Sequence, residues 1–215
     1  MQVYATDKEQ IDQVMGYIRK YGPTVLLAIL VFLAAFWGKS FYYKKQANQL
    51  AEASTLYDKL SKSSSDSVKV AYANDLLNNY DNTIYAKFGA LTLGKYAVAN
   101  DNFDEAIKHF TYVYQNSSDW GQLKAMAFEN WLRVLLIQGN AQESLEKLQK
   151  ETKLVEKYTV LFGNLEGDIY SKLNQKDNAI KAYEKTLGLI EANPMLIQTI
   201  KPYYDFILLK KNQLQ

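Results

Sequence analysis

Residues 87–113 read KFGALTLGKYAVANDNFDEAIKHFTYV, and two later stretches share their layout: AMAFENWLRVLLIQGNAQESLEKLQKE at 125–151 and VLFGNLEGDIYSKLNQKDNAIKAYEKT at 160–186. Each holds a helical stretch, a polar turn (Asn100-Asp101-Asn102, Gly139-Asn140, Asn174 to Asp177) and a second helical stretch. Ala106, Ser144 and Ala179 occupy one small position of the second helix, and Phe110, Leu148 and Tyr183 come four places later. The units therefore step by 38 and 35 residues. Leu93-Gly94 and Gly167 fall at the small position of the first helix, where paired helices must come close; the second unit is a poorer match, with Leu132 there.

A helix–turn–helix of about 34 residues cannot bury its apolar face alone, so such units stack and share a core. The spacing predicts an all-α chain with a tetratricopeptide-like α-solenoid; the bland alternative is a helical bundle with fortuitous spacing. Toward the C-terminus, Pro194, Leu196, Ile197, Ile200, Tyr203, Phe206 and Ile207 predict a closing helix over about 195–211, with Leu214 in that cap or in a frayed tail. Toward the N-terminus, Val70, Ala73, Leu76 and Leu77 predict a further helix, preceded by the loop-like SKSSSDS of residues 61–67. Before that loop, Leu50, Ala53, Leu56, Tyr57 and Leu60 form an apolar stripe.

Further upstream, Thr24 to Gly38 read TVLLAILVFLAAFWG without a charged side chain. At about 1.5 Å per residue, a helix over residues 21–40 covers roughly 30 Å, the thickness of a bilayer's hydrocarbon core. Val25, Leu26, Leu27, Ile29, Leu30, Val31, Phe32, Leu33 and Phe36 together favour insertion by roughly 3 to 5 kcal/mol. Trp37, Tyr42 and Tyr43 mark one boundary and Tyr17 and Tyr21 the other, as interfacial aromatics do. The long charged stretch ahead of the run, and the lack of a small-x-small site before Lys39, favour an uncleaved anchor over a removed signal peptide or a buried core helix. The sequence thus predicts an N-terminal helix over 1–20, a transmembrane anchor over 21–43 and a repeat domain over 44–215. Thr6 to Glu9 fits a capping box, and Ile11, Val14, Met15 and Ile18 share one face, suited to the membrane surface or to a membrane partner. Gly22-Pro23 is expected to separate this helix from the span. Lys8, Arg19 and Lys20 precede the span while Lys39, Lys44 and Lys45 follow it, so charge bias does not fix the orientation.

Net charge is +2 over 215 residues, which gives no strong field for nucleic acid. Zero cysteines remove thiol catalysis, iron–sulfur clusters and cysteine zinc sites. His109, the one histidine, has no acid or serine placed by sequence to orient it and reads as a solvated repeat residue. Gly89 to Lys95 superficially matches a phosphate-binding loop, but Tyr96 follows and no strand precedes. No catalytic residue, metal ligand or cofactor is expected. What remains is binding surface: the first helices of such arrays line a concave groove, whose candidates are Phe88, Leu91 and Lys95, then Met126, Glu129 and Arg133, then Asn164 and Asp168. That mixture suits a peptide or unfolded segment better than one strongly charged tail.

The opening VYATDKEQIDQVMGYIRKYG, followed by one apolar span and then Trp37, Tyr42 and Tyr43, resembles the start of the YfgM family of ancillary SecYEG translocon subunits. The likeness continues more weakly through the repeats, and it departs at Pro23 and in the abundance of Tyr and Asn. The resemblance implies a single-pass protein of the bacterial inner membrane, with its N-terminus cytoplasmic and its repeats periplasmic. It further implies association with SecYEG and with a membrane-anchored chaperone of the PpiD type, close to emerging secretory or outer-membrane chains. An envelope assembly scaffold or a homo-oligomeric adaptor is the alternative, and a secreted binding protein is a third.

Overall fold

The computed structural model describes residues 7–215, with side chains from Gln10 onward, so the capping box expected at Thr6 to Glu9 lies outside the described side chains. Every regular element among the described residues is an α-helix. The chain divides into two compact units, one reaching Glu52 and the other running Ala53–Gln215.

In the first unit, helix α1 (Asp7–Lys62) runs without a break through the apolar run. Pro23 lies inside it, which corrects the expectation that Gly22-Pro23 separates two helices. Proline disfavours a helix interior because its ring collides with the i−4 carbonyl and with the preceding residue's N–H and Cβ, and because it lacks an N–H. Gly22 has no Cβ, which removes one of these clashes. Val25, Leu26, Leu27, Ile29, Leu30, Val31, Phe32, Leu33, Phe36 and Trp37 are all exposed.

The second unit contains the end of α1, then α2 (Asp66–Asn79), α3 (Ile84–Ala99), α4 (Phe103–Gln115), α5 (Gly121–Ile137), α6 (Ala141–Lys150), α7 (Thr152–Lys157), α8 (Thr159–Lys172), α9 (Lys176–Glu191) and α10 (Pro194–Gln213). The hairpins α3/α4, α5/α6 and α8/α9 carry the three sequence units. Their turns are alike in detail. Asp101, Gly139 and Asn174 each adopt positive φ, at 55°, 85° and 57°, and they step by the same 38 and 35 residues as the repeats. The next residue then bonds back across the helix end, Asn102 N to Ala97 O at 2.8 Å, Asn140 N to Leu135 O at 2.8 Å and Gln175 N to Tyr170 O at 2.9 Å. These bonds satisfy carbonyls the helix leaves open.

Packing inside each hairpin follows the small–large pattern. A Cβ at Gly94 would stand 2.5 Å from the Phe110 ring, and one at Gly167 would overlap the Tyr183 ring. The second unit makes the opposite exchange: Leu148 replaces the ring, and Leu132 fills the space within the same core cluster. Ser144 is buried at its small position and its hydroxyl donates to the Leu132 carbonyl at 3.3 Å. Ala53 and Leu60 at the end of α1 pack with Ala73 and Leu76 of α2, so the stack begins with a pair whose first member is α1. Helix α10 kinks at Ile200, ahead of Pro202, and buries Ile207 beside Tyr183 and Ile190, with Leu214 packed on the same cluster.

His109 is not solvated. It is only 9 % exposed, and its Nε2 lies 3.2 Å from Glu105 Oε1, one turn earlier on α4. Burial holds its pKa below the ordinary 6.5, an effect that Glu105 opposes and Lys108 assists.

Candidate functional site

The groove candidates lie on α3, α5 and α8, the first helices of the three hairpins, and the repeat step sorts them into rows. Phe88 and Met126 form the first row, joined by Leu161, which sequence reasoning did not select. Leu91, Glu129 and Asn164 form the second; Lys95, Arg133 and Asp168 form the third. The second row lies deepest. Leu91 is 6 % exposed within the α3–α5 core and Asn164 is 1 % exposed, so neither lines an open groove. The position three residues after Phe88 turns toward the neighbouring helix, and an apolar leucine there completes the seam. Lys95 stands exposed.

Toward α8 the third row becomes a charged ladder. Glu129 accepts from Arg133 Nε, and Arg133 Nη1 lies 3.0 Å from Asp168 Oδ2. Lys210 of α10 completes it, with Nζ at 2.7 and 2.9 Å from the two Asp168 oxygens and 3.2 Å from Asn164 Oδ1. Tyr183 also donates to Asp168 Oδ1 at 2.6 Å. Burial, then that bond to a carboxylate, pushes the Tyr183 hydroxyl well above its usual pKa, keeping it a donor. Two acids and two bases thus satisfy one another, and Asp168 is the hub. An open hollow of about 420 Å³ lies beside them, walled also by Leu136 and Ile137. Sequence reasoning missed Lys210 and Tyr183. The signal for Lys210 was its place one turn after Phe206, over whose ring its ammonium sits at 4.3 Å from the centroid.

The first row has a different character. Phe88 and Ile84 of α3 face Leu123 and Met126 of α5 across an open hollow of about 490 Å³, edged by Asp119 and Trp120 of the preceding loop. Trp120 is 50 % and Met126 38 % exposed. Tyr57 lies tilted to Phe88 and Tyr85 meets it edge-on, with ring centroids 5.2 and 6.5 Å away, and they extend the aromatic surface. Among the described residues no group of three or more His, Asp or Glu side chains is placed to hold a metal ion.

A family model described as a tetratricopeptide repeat-like domain matches residues 16–201. The chain belongs to the tetratricopeptide repeat-like domain family. A protein of Haemophilus influenzae described as an ancillary SecYEG translocon subunit is 27 % identical to it over 119 residues, 54 % of this chain. The match spans 58 % of that relative's length. No solved structure matches the chain significantly. The resemblance to the YfgM family read from the sequence is borne out by the repeat-like domain together with this relative.

Proposed function

We propose that this chain is a membrane-tethered, non-enzymatic subunit associated with the SecYEG translocon. In this reading residues 21–43 anchor it in the bacterial inner membrane, the N-terminus is cytoplasmic and the repeats are periplasmic. There they bring emerging secretory or outer-membrane chains to a membrane-anchored chaperone of the PpiD type. The observation that carries the reading is the apolar run of α1, exposed along its length and lying within the stretch, residues 16–201, that the repeat-like family model matches. The name of the Haemophilus relative supplies the partner. A tether raises the local concentration of the repeats at the membrane, so contacts too weak for free encounter suffice.

The test is solubilisation of native membranes in mild detergent at modest salt, followed by capture of the full-length chain through a C-terminal tag. Translocon and chaperone subunits are expected in the eluate. Their absence, with the bait intact, would sink the proposal. An envelope scaffold or self-assembling adaptor instead predicts a discrete homo-oligomer free of translocon subunits in the same eluate.

A further inference from the structure

The two ends of the row of first helices, α3, α5 and α8, differ in chemistry. Near α8 the charges of Glu129, Arg133, Asp168 and Lys210 are matched by one another, so a ligand charge aimed at them must first break bonds already made. At the α3–α5 end, Ile84, Phe88, Leu123 and Met126 make an apolar hollow with Trp120 half-exposed at its rim. One charged residue lines it, Asp119. Among the described residues its carboxylate has no ion pair and accepts a single long bond, 3.4 Å from Ser118 Oγ. The first turn of α5 borders the same hollow, and its N-cap residue Trp120 provides no side-chain cap. The first backbone N–H groups of α5 have no partner within the helix.

We propose that this hollow holds a large apolar side chain of an extended polypeptide segment that carries a basic residue beside it. The volume sits within the range of roughly 300–1,000 Å³ in which proteins bury small ligands. Aromatic and methionine walls adapt to apolar side chains of different shape. The unpaired Asp119 selects the neighbouring charge, since a cation there gains a partner and an anion is repelled. The uncapped turn offers donors to the segment's carbonyls. A lipid chain would use the apolar walls and leave Asp119 without a role. The inference deepens the proposed reading, in which the repeats hold emerging chains, and rests on it.

The test uses the full-length chain in detergent micelles. The probe is a fluorescein-labelled ten-residue serine–glycine peptide with phenylalanine between two lysines, followed by anisotropy. Replacing the peptide's phenylalanine by alanine, or Met126 by Glu, is expected to weaken binding about tenfold. Asp119→Lys is expected to weaken the lysine peptide and to favour a version with glutamates in their place. Met126 and Asp119 are both exposed, and unchanged helical circular dichroism confirms that the variants are folded. Equal binding by wild type, M126E and D119K overturns the inference, as does a probe that binds as tightly without its phenylalanine. A dimer that dissociates in M126E, with no peptide bound to either protein, assigns the hollow to a second copy and overturns it too. Translocon capture and peptide binding are read separately, so either idea can fail while the other stands.

Discussion

At the scale of single residues, the fold turns on where a Cβ is allowed. Gly167 faces the Tyr183 ring closely enough that a methyl group would overlap it, and Asp168 fixes the far end of that ring through its hydroxyl. The ring cannot swing away without losing that bond. Gly167→Ala is expected to destabilise by about 1–3 kcal/mol, as overpacking does. Gly188 on α9 has nothing within 4 Å of an added Cβ, so Gly188→Ala should stabilise by up to about 1 kcal/mol. Urea midpoints at constant slope check both, and the opposite signs separate packing from helix propensity. His109 supplies a pH dependence. Its folded pKa lies below the unfolded value of about 6.5, so its contribution is complete above that pH and is lost as pH falls toward the folded pKa. The melting temperature should drop between about pH 7.5 and pH 5.5, and His109→Gln should flatten that drop. An equal drop in the variant would remove His109 as a cause.

At the scale of elements, α10 is held to the repeats by charge as well as by apolar packing. Asp168 accepts from Arg133 on α5, from Tyr183 on α9 and from Lys210 on α10. Asp168→Asn keeps the shape but leaves Lys210 without its anion, at an expected cost of about 2–3 kcal/mol. A double-mutant cycle with Lys210→Met should return a coupling above about 0.5 kcal/mol, whereas additivity would show that the pair contributes nothing. Such partnerships were hidden in the sequence because α10 lies outside the repeat period. The hairpins themselves were legible, since Gly94 with Phe110, Leu132 with Leu148 and Gly167 with Tyr183 recur in step and each records one packing requirement. Helix α7 was not: six residues, Thr152–Lys157, are too few to show a period. Pro23 misled because its effect depends on the residue before it, and Gly22 is permissive. Leu91 and Asn164 misled because the spacing finds the groove-side face, not the depth of each row. His109 was misjudged although Glu105 stands one turn before it, a spacing visible in the sequence.

At the scale of the whole molecule, the proposed membrane anchor rests on one apolar run. The three cations before the run balance the three after it and set no orientation, and in the proposed reading the apolar side chains drive insertion. Their favourable contribution is roughly 3 to 5 kcal/mol, whereas an arginine at the centre of a span opposes insertion by about 2.5–3.5 kcal/mol. One such change should bring insertion near balance, and two should abolish it. Leu30→Arg is therefore expected to leave the protein partly extractable by alkaline carbonate, and Leu30→Arg with Leu33→Arg to release it fully, while the wild type stays in the pellet. Both leucines are exposed in α1, within the unit that ends at Glu52, so the repeat domain keeps its own core in either variant. Its thermal unfolding in detergent should match wild type. Carbonate extraction of the wild-type chain would refute the anchor, and retention of the double variant would show that something other than the apolar run holds the protein to the membrane.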